Sequence, residues 1–157
     1  MMSIETAEID RLRGSYLSLA ASVEYKMTSV IAYDLNLGSH ERFQSWFLRT
    51  PIPFNAKLEL FESLLRENTM IPENLYHRFR EVQRVRNVLA HSFQGGLGRI
   101  TSRGMRVPDE LESGEKLAEW VKEATVLDTW LEEILYGYDD HGTLPPISAD
   151  DFADWPL

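Results

Sequence analysis

The chain is expected to be all-α, a bundle of about five helices, and three observations predict it. Apolar residues recur at three- and four-residue steps in several separate stretches. Proline and glycine divide those stretches, and no long alternating strand pattern intervenes. The 157 residues, 43% hydrophobic, suffice for one core and are too few for two ordinary domains.

The first stripe is Ile9, Leu12, Tyr16, Leu19, Val23, Met27 and Val30, which predicts a helix from about Ile4 to Leu37, ending at Gly38. At 1.5 Å per residue it would be ~50 Å long. Such length in a small protein implies a second subunit or a hairpin partner beside it. Glu41 to Arg49 reads as a short helix that Pro51 and Pro53 end. A third helix covers Phe54 to Glu67, with Leu58, Phe61, Leu64 and Leu65 inward. Pro72 fits the first turn of a fourth, which runs to about His91 or Ser92 and stops at Gly95, Gly96 and Gly98. Residues 99–107 suit a small β-hairpin turning at Arg103-Gly104. The last helix spans about Ser113 to Tyr136, with Leu117, Trp120, Val121, Ala124, Leu127, Leu131 and Ile134 inward. Residues 1–136 thus form the domain, and 137–157 an acidic tail without lysine or arginine, expected to be a loop or strap.

Cysteine is absent, which excludes disulfides and thiolate chemistry and suits a reducing cytosol. Met1 to Asp10 carry acids and no apolar run, so no signal peptide is expected, and no stretch is long enough for a membrane span. A cytoplasmic protein with no membrane partner is the expectation. The net charge of −9 argues against general nucleic-acid binding. Its distribution argues otherwise. Between Arg78 and Arg106 lie seven arginines and a single acid, Glu81, a charge of +6 inside a chain that is otherwise −15. A solvated arginine-rich face would read the same way.

On a wheel of the fourth helix, Leu75, Phe79, Val82, Leu89 and Phe93 form the core stripe, and Arg86 falls in its middle. A guanidinium there needs partners, and Glu24 or Glu59 on another helix would make a buried ion pair. Arg80, Arg84, Asn87 and His91 lie within about 60° of one another on another face. Asn87 and His91 are neighbours one turn apart, and Arg84 lies two turns before His91 on the same edge. Arg86 and His91 are about 140° apart. The wheel alone therefore pairs His91 with Arg84.

These residue types suit RNA cleavage. The 2′-hydroxyl is a built-in nucleophile. A group must take its proton and another must protonate the leaving 5′-oxygen, and histidine suits both tasks. Arginine binds the charge that gathers on the phosphorane. Asn87 would orient one or the other. No metal site or cofactor is expected, because His40, His77, His91 and His141 are scattered without ligand spacing. A helix-terminal histidine interacting with the dipole is the bland reading of His91.

The run Arg86-Asn87-Val88-Leu89-Ala90-His91, closing a helix, resembles the signature of the HEPN superfamily: arginine, commonly a polar residue, and histidine after four to six residues. Arg86 and Arg84 both meet that spacing, and Asn87 favours Arg86. The resemblance spans roughly residues 5–135. It implies a metal-independent endoribonuclease leaving a 2′,3′-cyclic phosphate, in a toxin–antitoxin or antiviral setting. Arg86, Asn87 and His91 would be catalytic, in a homodimer whose motifs face each other. Some HEPN toxins carry a tyrosine two residues after the histidine that their partner modifies. Phe93 stands there, so an antitoxin or regulatory partner would have to act by masking. Arg80, Arg84, Arg99, Arg103 and Arg106 would bind the RNA strand. The tail acids Asp139, Asp140, Asp150, Asp151 and Asp154, anchored by Trp155, would compete with it in cis.

The pattern Phe54-x-x-Lys57 followed by Val82-x-x-Val85-Arg86-Asn87-x-x-Ala90-His91 is similar also to the mannitol operon repressor family. That resemblance implies a non-catalytic helical regulatory or interaction protein, in which the same residues brace the bundle.

Overall fold

The computed structural model describes residues 4–35, 45, 52–68, 72–93, 100–101 and 114–141. They form helices α1 (Ile4–Leu35), α2 (Phe54–Asn68), α3 (Glu73–His91) and α4 (Gly114–His141). The class is all-α, as the periodicity predicts. The expected helix over Glu41 to Arg49 lies outside the described residues except for Ser45, which is helical. The last helix continues past Tyr136 to His141, so the first residues of the expected tail belong to it.

Of the expected hairpin over 99–107 only Ile100 and Thr101 are described, and their described partners precede it in the chain. A two-residue antiparallel ladder joins β1 (Ser92–Phe93) to β2 (Ile100–Thr101), with Ser92 opposite Thr101 and Phe93 opposite Ile100. Residues 94–99 and the expected turn at Arg103-Gly104 lie outside the described residues.

Two proline residues set helix starts. The Pro53 carbonyl accepts from the Ala56 and Lys57 amides at 3.1 and 3.2 Å, and the Pro72 carbonyl accepts from the Leu75 amide at 3.0 Å. Proline suits these positions because the helix interior would need the amide hydrogen it lacks. Glu73 adds an acid to the first turn of α3, where the helix dipole favours it.

α1 is the axis of the molecule. Ile9, Leu12, Tyr16, Ala20 and Val23 bury one face of its first half. From Met27 to Ala32 six consecutive residues are buried, so this half is enclosed on every side. Its buried hydroxyls are satisfied within the helix: Thr28 Oγ1 donates to the Glu24 carbonyl at 2.8 Å and Ser29 Oγ to the Tyr25 carbonyl at 3.1 Å.

The most extensive partner of α1 is α4, not the motif helix α3. Matching positions climb both helices together. Gly114 faces Ile9, Ser22 Oγ donates to Asp128 Oδ1 at 2.6 Å, and Lys26 Nζ reaches Asp128 Oδ2 at 2.9 Å and Glu132 at 3.7 Å. α1 and α4 are therefore parallel. Parallel helices need a long return connection, and α2 with α3 supplies it. The length of α1 is thus covered by its own chain, and length alone does not require a second subunit.

α2 and α3 form an antiparallel pair, tied by Arg66–Glu73 near the turn and by Glu62–Arg80 further along. The Arg66 guanidinium also lies over the Tyr76 ring at 4.1 Å. Lys57, nearly buried, donates to Glu24 Oε1 at 2.9 Å and so fixes α2 to α1. Phe79 joins three helices. It is fully buried, meets Phe61 of α2 edge-on at 5.2 Å and Trp130 of α4 at 5.9 Å. Phe79→Ala should cost about 3–5 kcal/mol of stability by leaving a cavity among three elements, read as a lower midpoint in urea unfolding. A loss below about 1 kcal/mol would contradict this packing.

Candidate functional site

α3 carries every candidate that lies among the described residues, and its burial pattern corrects the wheel. Leu75, Tyr76, Phe79, Val82, Val85 and Leu89 are buried. Tyr76 and Val85 widen the core face, and Arg86 lies half-buried at its edge instead of in its middle. The reason is rotational: a core face shared among three helices is broader than a single apolar stripe.

At that edge Arg86 Nη1 donates to the Asn87 side-chain carbonyl at 3.0 Å. Among the described residues it has no carboxylate partner. Neither Glu24 nor Glu59 pairs with it. Glu24 is taken by Lys57, and Glu59 is exposed, its backbone carbonyl accepting from Ser63 Oγ. The guanidinium has further donors in its fork, for which no carboxylate acceptor is found among the described residues.

Arg80 and Arg84 are held differently. Arg80 Nε and Nη2 donate to Glu62 Oε1 and Oε2 at 2.8 and 2.7 Å, a two-point clamp on a nearly buried carboxylate of α2. Those hydrogen bonds raise the Arg80 guanidinium above its ordinary value, so its charge is fixed. Arg84 Nε donates to both oxygens of Glu81 at 2.9 Å, and its Nη2 donates to Oε1. This pair lies within one helix at i,i+3, and such exposed pairs contribute only about 0.3–0.5 kcal/mol. Arg78, half-buried, also lacks a carboxylate partner among the described residues, but it stands about 20 Å along the axis from position 91. Arg86 stands only about 7–8 Å from it.

His91 is the last residue of α3. Its side chain lies outside the described residues, as do Arg99, Arg103, Arg106, the tail from 142 to 157 and the side chain of Phe93. Of the expected catalytic three, the structure brings Arg86 and Asn87 together and places His91 at the end of the same helix. No group of three or more histidine, aspartate or glutamate side chains among the described residues is arranged to hold a metal ion. No described helix is long and apolar enough to cross a membrane.

Reading the sequence did not assign two carboxylates to their arginines, Glu62 to Arg80 and Glu81 to Arg84. Glu81 had a visible signal, since it precedes Arg84 by three on a helix. Glu62 had none, because its approach to Arg80 depends on the α2–α3 register.

Beneath this surface lies Tyr16 of α1, fully buried, its hydroxyl without a hydrogen-bond partner among the described residues. Burial, then the carboxylates of Glu81 and Glu123, push its phenol well above the ordinary range, and Arg84 opposes them weakly. The phenol therefore stays neutral. A buried hydroxyl with no partner contributes nothing and costs its lost hydration. Tyr16→Phe should thus leave stability unchanged or raise it by up to about 1 kcal/mol, measured by urea unfolding at neutral pH. A clear loss of stability would show that the hydroxyl holds a partner.

The chain matches no protein-family model, no curated protein and no solved structure.

Proposed function

We propose that the protein is a HEPN-like, metal-independent endoribonuclease, working in the cytoplasm as a toxin or in antiviral defence. The observation that supports it best is the state of Arg86. It is half-buried, lacks a carboxylate among the described residues and is oriented by Asn87 one turn before the helix ends at His91. A residue that merely braced the bundle would be expected to carry a counter-charge, as Lys57 and Arg80 do.

In this reading His91 takes the proton from the 2′-hydroxyl, and that oxygen forms a bond to phosphorus. The bond from phosphorus to the 5′-oxygen breaks, and the 5′-oxygen leaves with the proton that the His91 imidazolium gives up. The products are a 2′,3′-cyclic phosphate and a 5′-hydroxyl. Arg86 holds the equatorial oxygens of the phosphorane, where charge is greatest, and Asn87 fixes the guanidinium plane. Arg99, Arg103 and Arg106 guide the strand. A homodimer with facing motifs, and an antitoxin or regulatory partner that masks them, belong to this reading through the resemblance alone.

The resemblance to mannitol operon repressors has one observation in its favour. Phe54 and Lys57, which open the shared pattern, are both buried, and Lys57 braces α2 on α1. That accounts for Phe54 and Lys57 but leaves Arg86 unexplained.

The purified protein should cleave single-stranded RNA in EDTA and leave 3′ ends that resist ligation until the cyclic phosphate is removed. His91→Ala should abolish cleavage. Arg86→Lys should lower kcat by about 10²-fold or more, because lysine lacks the planar fork. Full activity in His91→Ala, or cleavage lost in EDTA, would refute the mechanism. A greater loss in Arg84→Ala than in Arg86→Ala would show that Arg84 is the catalytic arginine.

A further inference from the structure

We propose that Glu81 is a latch on Arg84, and that Arg84, once released, holds an RNA phosphate next to the one being cleaved; this rests on the ribonuclease reading above. The arginines of α3 differ in what opening their ion pairs would leave behind. Arg80 is held by a carboxylate from another helix, and Glu62 keeps only 11% of its side chain exposed. Breaking that clamp would strand a nearly buried charge, so Arg80 is locked. Arg84 is held by its own helix, and the two side chains keep 46% and 29% of their surface in solvent. Opening that one pair costs little, because an exposed pair within a helix is weak.

A phosphodiester offers what Glu81 offers, two oxygens sharing one negative charge, and it accepts the same forked donation from a guanidinium. Helix register gives the interaction its place. Position 84 lies on the same edge as positions 87 and 91, about 20° and 10 Å from position 91. Side chains lean toward the helix N-terminus, so Arg84 reaches away from position 91. That suits a phosphate beside the scissile one and leaves the scissile phosphate to Arg86. Glu81 then weakens binding of the strand by competing with it. It is a positioning residue that tunes affinity, and it touches no reacting atom.

The test measures binding of a 5′-labelled single-stranded oligonucleotide, its 2′-hydroxyls methylated so that it cannot be cleaved, by fluorescence anisotropy across a salt series. Glu81→Gln should bind several-fold more tightly than wild type at low salt, with a steeper dependence on salt. Each additional phosphate that the protein neutralises on a single strand steepens the logarithmic slope by about 0.7. Glu119→Gln is the control. It removes the same charge from another i,i+3 pair, Lys116–Glu119 on α4, and should change little. Adding Arg84→Ala to Glu81→Gln should erase the tighter binding. Equal tightening in Glu119→Gln, no tightening in Glu81→Gln, or tightening that survives loss of Arg84 would overturn the latch. No RNA binding by the wild-type protein would overturn the ribonuclease reading itself.

Discussion

The residues Met27 to Ala32 leave no face of α1 open to water. A helix enclosed in this way must satisfy its polar side chains internally and must be surrounded by other elements. Thr28 and Ser29 meet the first demand by donating to carbonyls one turn back. The second sets the topology. α4 runs parallel along α1, and the α2–α3 pair crosses back to complete the enclosure, sealed by Lys57 on Glu24 and by the Phe61–Phe79–Trp130 cluster. The central helix is therefore neutral where it is enclosed. The ion pairs Lys57–Glu24 and Lys26–Asp128 lie at its margins.

This placement decides what α3 presents outward. One face supplies Leu75, Phe79, Val82, Val85 and Leu89 to the core, so its four arginines are forced to the edge and the exterior. There they are sorted by carboxylates rather than by position in the sequence. Glu62 engages Arg80 and Glu81 engages Arg84, whereas Arg86 meets, among the described residues, the neutral amide of Asn87. The positive charge that α3 offers is smaller than the number of its arginines suggests, because two of the four are clamped by carboxylates.

The bundle class and the approximate limits of four helices were legible in the sequence. A 3.6-residue apolar period and proline or glycine breaks act locally and need no knowledge of neighbours. Pro53 and Pro72 show this directly, since each places its carbonyl in the first turn of the helix it introduces. The pairing of β1 with β2 was not legible, because short strands pair through register, and Phe93 opposite Ile100 is a fact of register. α4 continues through Gly137 to His141 against local propensity. A glycine weakens a helix by only about 1 kcal/mol, too little to end one reliably.

The sequence by itself determined the composition of the candidate site: an arginine, an amide and a histidine at fixed steps on one helix, and a choice between Arg84 and Arg86. Tertiary structure decided that, of these two, Arg86 is the one without a carboxylate partner among the described residues. Helical periodicity fixes angles around one axis, so it set Arg86 nominally inward and Arg84 outward beside His91. It cannot report the breadth of a core face built by three helices, nor a carboxylate delivered from a second helix. Those depend on packing between segments far apart in the chain, and they bring Val85 inward, place Arg86 at the rim and fix Arg80 on Glu62.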